Sequence, residues 1–141
     1  MEYNHSNSAI LGLDIGSVRI GIALSSRNNY LIRPLTTLVN DQNFINELNK
    51  IIDRNNVDTL VVGMPRNMSG EKTKQSALVE EFVANNLSKL NLKLVYQDES
   101  LTSVAAEQIL EQRGGEYSKS DIDTVAASLI LEDYVNSLRN K

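Results

Sequence analysis

A chain of 141 residues, 41% of them apolar and 23% charged, can bury one sizeable core and has no segment polar enough to stay unfolded on composition. It has no cysteine, which excludes a disulfide framework, a thiolate metal site and a thiol nucleophile. A net charge of -4 argues against a broad basic surface for nucleic acid, although a local basic rim beside an acidic centre is compatible with it.

The polar segment 1–8 carries no leader pattern and is expected to be a disordered tail on a single domain spanning 1–141. No apolar run is long enough to span a bilayer, so the expected setting is the cytoplasm, with no membrane partner.

The first apolar run, Ala9 to Leu13, leads into Asp14-Ile15-Gly16-Ser17; beyond it Ile20, Ile22 and Leu24 alternate with small residues, which predicts a β-hairpin. A third strand is expected from Leu31 to Val39, with Pro34 marking an edge or a bulge. Asn40 or Asp41 can cap a helix whose apolar stripe is Phe44, Ile45, Leu48, Ile51 and Ile52, ending near Asn55. Thr59 to Val62 is a short β-branched run of the kind buried on both faces of a sheet, followed by a loop from Gly63 to Gly70. A helix from about Glu71 to Leu90 should turn Ala77, Leu78, Val79, Phe82, Val83 and Leu87 inward, and Leu92, Leu94 and Tyr96 make a fifth strand closed by Asp98-Glu99. Helices from about Thr102 to Gln112 and Asp121 to Leu138, parted by Gly114-Gly115, finish the chain. Three antiparallel strands followed by two that return by crossovers form an α/β mixed sheet of five strands with helices on both faces.

Asp14 and Glu99 stand where strands one and five end, and open α/β sheets bind ligands at such ends. Asp123 falls in the first turn of the last helix. If that helix starts over the same edge, three carboxylates converge, and their repulsion is relieved by Mg²⁺ or Mn²⁺. Two such ions roughly 3.5 to 4 Å apart would activate water and stabilise the leaving oxygen of a phosphodiester. Each acid also has a purely structural reading: Asp14 as a turn residue, Glu99 as a first-turn acid, and Asp123 as the partner of Ser120 in a capping box. Strand alternation sends Asp98 to the face opposite Glu99.

Arg19 could hold a phosphate near the acids by its guanidinium fork, or be an ordinary exposed strand residue. Arg66, with Lys72 and Lys74 beyond it, stands on a strand-to-helix loop where phosphate could bind, or where Ser69 is simply a helix cap. Lys119, before the last helix, can offset the carboxylates or touch substrate, but lone lysines are mostly solvated.

Four segments taken in order, Gly12-Leu13-Asp14-Ile15-Gly16-Ser17-Val18-Arg19-Ile20-Gly21-Ile22-Ala23, Val62-Gly63-Met64-Pro65 with Asn67-Met68-Ser69-Gly70, Asp98-Glu99-Ser100-Leu101-Thr102-Ser103 and Ile122-Asp123-Thr124-Val125-Ala126-Ala127, resemble the YqgF/RuvX family of pre-16S rRNA nucleases, also described as Holliday junction resolvase-like. The resemblance runs from residue 9 to about 135. It implies a ribonuclease H-like fold, a cytoplasmic location and a metal-dependent endonuclease that matures the 5′ end of small-subunit ribosomal RNA. Its acidic positions fall on Asp14, Glu99 and Asp123, as catalytic metal ligands; Arg19, Arg66, Asn67, Thr102 and Lys119 are the expected substrate contacts. Ser100 departs from the family, which usually has an arginine there, and Ser103 replaces the second of two threonines.

The implied partners are nucleic acid, as precursor rRNA or branched DNA, and the small-subunit precursor; a monomer and a homodimer both stay open. Branched DNA would call for paired sites in a symmetric dimer. The third reading, from another class, is an rRNA-binding assembly factor that does not cut. A nucleotide phosphotransferase, suggested by the Asp-x-Gly-Ser turn, needs two domains closing on the nucleotide, for which 141 residues leave no room.

Overall fold

A computed structural model describes residues 7–65, 71–99 and 102–140, with the side chains at 99, 102 and 103 outside the description. Three antiparallel strands come first: β1 (Ala9–Ile15), β2 (Arg19–Ser26) and β3 (Ile32–Val39). After helix α1 (Phe44–Asn55), β4 (Val57–Pro65) pairs parallel to β1. Helix α2 (Lys74–Phe82), continued by a π-helical turn (Val83–Leu87), leads to β5 (Lys93–Glu99), parallel to β4. Helices α3 (Thr102–Arg113) and α4 (Lys119–Arg139) complete the chain. The sheet order is β3-β2-β1-β4-β5, so β1 and β4 are interior and shielded on both faces, as their apolar runs require.

Alternation divides the core in two. Leu11, Leu13 and Ile15 of β1 and Leu60, Val62 and Met64 of β4 point to one face, where they pack with Phe44, Leu48 and Ile52 of α1 and with Val79, Val83 and Leu87. Ile10, Ala23 and Val61 point to the other, against Ala127, Ile130, Leu131 and Tyr134 of α4. Helix α3 lies on the far side of α4, through Ala106 and Leu110 against Val125 and Ala126. Helix α4 is thus covered on two sides, which explains why it is apolar around much of its girth.

Pro34 is placed as expected, on edge strand β3 where the register with β2 shifts. Gly114 and Gly115 both take positive φ between α3 and α4.

Several boundaries differ from the sequence reading. Residues 7 and 8 are not part of a loose tail: Ser8 is buried and its carbonyl accepts from Arg27 N–H at 3.1 Å. Neither Asn40 nor Asp41 caps α1; the Asp41 carboxylate instead accepts from Asn43 N–H at 2.9 Å, steadying the turn before the helix. Gly63, Met64 and Pro65 belong to β4, because pairing with β5 continues to Glu99. Helix α2 starts at Lys74, fixed by a reciprocal cap in which Thr73 Oγ1 accepts from Ser76 N–H and Ser76 Oγ accepts from Thr73 N–H. With Ser76, Val79 and Val83 inward, Ala77 and Leu78 face solvent, contrary to expectation. The π turn, closed by Ser88 N–H to the Val83 carbonyl, offsets the angular drift of residues four apart and keeps Val79, Val83 and Leu87 on one side.

Candidate functional site

Asp14, Gly21 and Thr37 stand side by side across β1, β2 and β3. Asp14 follows Leu13 out of phase with the α1 core, so it shares the face covered by α4. A glycine in the middle of this row leaves a notch, and the second turn of α4, which Asp123 opens, fills it: a Cβ on Gly21 would overlap the carbonyl group of Asp123. Thr37 Oγ1 donates to the Ser120 carbonyl at 3.0 Å and fixes the preceding turn from β3. One helical turn further on, Gly12 repeats the device, with a would-be Cβ 2.9 Å from the Ala127 carbonyl oxygen. The two glycines let α4 dock backbone to backbone along the hairpin.

Helix α4 begins earlier than expected, and this decides what Asp123 does. The cap is Ser118, whose hydroxyl accepts from Asp121 N–H while the Asp121 carboxylate accepts from Ser118 N–H. Asp123 is therefore not a capping residue, and the reading that paired it with Ser120 is corrected: the box lies two residues upstream. Its carboxylate faces the sheet edge and accepts from Arg19 Nε at 2.6 Å.

Burial, and then the nearby charge of Asp123, pushes the Asp14 carboxyl up to about 6. Acids from opposite ends of the chain thus share one half-buried recess, with Arg19 closing one side. A divalent cation suits this donor set, because it would supply the positive charge that two close carboxylates lack. Among the described residues no three His, Asp or Glu side chains form a metal cluster. The third expected ligand, Glu99, ends β5 opposite Pro65, its position in phase with Val95, which packs on the α4 side; its side chain lies outside the described residues.

Of the expected substrate contacts, Arg19 is at the recess, and Lys119 is exposed at the start of α4, one residue from the Thr37 contact. Arg66 and Asn67 lie outside the described residues, as do Ser69, Ser100 and the side chain of Thr102. Asp98 is exposed, one step out of phase with position 99. Gly21 and Thr37 escaped the sequence reading, although small residues at 21, 23 and 25 between Ile20, Ile22 and Leu24 signal a face that another backbone approaches closely. Away from the site, Arg27 grips Asp58 through two nitrogens at 2.9 to 3.1 Å and Thr59 Oγ1 at 2.8 Å, tying the end of β2 to the start of β4.

A family model described as RuvX: Holliday junction resolvase matches residues 8–137. A Chloroflexus aggregans protein, provisionally named pre-16S rRNA nuclease, is 40% identical over 139 residues, covering 96% of this chain and 98% of its own. A Rickettsia akari protein with the same provisional name is 37% identical, covering 95% and 90%. Among solved structures, the fowlpox virus resolvase in complex with its substrate Holliday junction DNA superposes with a TM-score of 0.52 at 18% identity, over 92% of this chain and 98% of that one. At such low identity the likeness is one of fold, and the fold is ribonuclease H-like.

Proposed function

The chain belongs to the RuvX family, and from that premise we propose that it is a metal-dependent nuclease that hydrolyses phosphodiester bonds in the precursor of small-subunit ribosomal RNA, maturing its 5′ end in the cytoplasm. The observation that carries this reading is the meeting of Asp14 and Asp123 at the end of β1, in a recess with an arginine at its side. The provisional names of relatives up to 40% identical support RNA as the substrate.

Asp14 and Asp123 would hold Mg²⁺ or Mn²⁺, with Glu99 as a third ligand. A bound divalent ion lowers the pKa of water and stabilises charge on the leaving oxygen. The chain's own contribution is geometric and electrostatic. The half-buried setting of Asp14 strengthens every charge interaction there. The Gly21 notch fixes Asp123, and Arg19, held at its Nε by Asp123, has terminal nitrogens suited to a phosphate. Lys119, Arg66, Asn67 and Thr102 would serve as further contacts to the strand. The ribosomal small-subunit precursor would be the physiological partner.

The family model's description favours a second substrate, the four-way DNA junction. Incubating the protein with precursor rRNA and with a four-way junction, with and without Mn²⁺ and beside Asp14→Asn, decides between them. Cutting of RNA that needs the cation and Asp14 is the expected result. Robust cutting by Asp14→Asn would remove the reading, and binding without cutting would leave an rRNA-binding assembly factor.

A further inference from the structure

Beyond the turn that follows Asp14, on the other face of the sheet, a cavity of about 250 Å³ opens between Gly16-Ser17 and the α2 helix with its π turn. None of its described lining residues is Lys, Arg or His, so these residues offer no counter-charge to a phosphate. The one charged residue among those described, Glu81, is an acceptor.

Three of its amides are oriented through their nitrogens. Asn40 Nδ2 donates to the Gly16 carbonyl at 2.8 Å, Gln75 Nε2 to the Ile15 carbonyl at 3.3 Å, and Asn86 Nδ2 to the Phe82 carbonyl at 3.1 Å. Each carbonyl takes one of the two N–H groups on its amide nitrogen, which orients the amide and leaves its side-chain oxygen outside that bond. The apolar part of the lining includes Leu78, 53% exposed, and Phe82, whose ring is held edge-to-face with Phe44 at 5.5 Å between centroids. A π-helical turn forms part of the wall, a feature that frequently marks functional sites.

A cavity with a carboxylate, oriented amides and an apolar, aromatic wall suits a flat ligand whose edge bears N–H donors. Its volume lies below the roughly 300 to 1,000 Å³ of sites for larger ligands, which suits a single ring system. Single-stranded nucleic acid is recognised in this manner, by stacking an unpaired base and bonding its edge. Among the bases, guanine alone offers an imino and an amino N–H side by side, matching the two oxygens of a carboxylate. We propose that this cavity binds one unpaired guanine of the substrate strand. The assignment rests on the nuclease reading for its substrate and adds to it a base preference.

The test is titration of the ¹⁵N-labelled full chain, without divalent cation, with the RNA pentamers UUGUU and UUUUU. UUGUU is expected to shift the amide signals of Gln75, Leu78 and Asn86 saturably and to bind at least about tenfold more tightly than UUUUU, the ratio one good base contact provides. Glu81→Gln, at an exposed position, should erase most of that ratio without unfolding the chain. Equal affinity for the two pentamers, shifts confined to the Arg19 and Asp123 side, or an undiminished ratio in Glu81→Gln would each overturn the proposal. Metal-dependent cutting lost in Asp14→Asn, with no guanine ratio, retires the cavity and keeps the nuclease. A guanine ratio mapped to the cavity without any cutting supports the cavity and removes the nuclease.

Discussion

Gly21 and Asp123 meet backbone to backbone, with no room between them for even a methyl group. Because Gly21 is also the cross-strand neighbour of Asp14, this single close approach sets where the two acids stand relative to each other. Gly21→Ala must push the start of α4 away from the sheet. Overpacking of this kind costs about 1–3 kcal/mol, and a displaced catalytic group loses about a hundredfold in rate. Urea denaturation and cleavage assays should show both losses; a variant that cuts at the normal rate would disprove the placement of Asp123.

Asp14→Asn should stabilise the metal-free protein while abolishing cleavage. The carboxyl has a folded-state value of about 6 against an ordinary 3.8, so between those values the folded chain binds more protons than the unfolded one. Stability from this group is therefore complete below about pH 4 and falls as pH rises through 6, by at most about 3 kcal/mol. The variant should match wild type near pH 4 and exceed it at pH 7, as measured by denaturant midpoints. A divalent cation should restore the wild type and leave the variant unmoved.

Arg19→Gln separates two roles of one guanidinium. The ion pair is partly exposed, so little stability should be lost, about 1 kcal/mol or less. Removing a positive charge beside Asp123 should tighten Mn²⁺ binding, seen by calorimetry, while turnover falls for want of a phosphate contact. Weaker Mn²⁺ binding in this variant would contradict that assignment.

Arg27→Ala should do the reverse of Asp14→Asn. The Arg27 fork on Asp58 is largely shielded, and losing it leaves a carboxylate without that partner, at a cost of about 2–3 kcal/mol. It lies at the opposite end of the sheet from the acids, so cleavage per folded molecule should be unchanged. Thermal melting together with a rate measurement checks both halves.

The strands were legible because β1 and β4 are apolar on both faces and β2 alternates, patterns that only a covered sheet satisfies. Helix boundaries were less so. Ser118 and Ser120 are both acceptable caps, each with an acid three residues on, and docking against Gly21 and Thr37 selects the first. The same ambiguity hid Thr73, and with it the outward turn of Ala77 and Leu78. At the site, strand-end position pointed to Asp14 and nearness to the start of a late helix pointed to Asp123, which stands in the second turn of α4 and not the expected first. The notch that joins them depends on a residue with no side chain, which composition and charge patterns pass over.

The two acids belong to the first strand and the last helix, with the other described elements between them. Ribosomes release a polypeptide from its amino end, so Asp14 emerges early and waits for a partner more than a hundred residues downstream. On the proposed mechanism, topology thereby ties cutting to synthesis beyond Asp123, because a chain that stops short of it would hold half of the acidic pair.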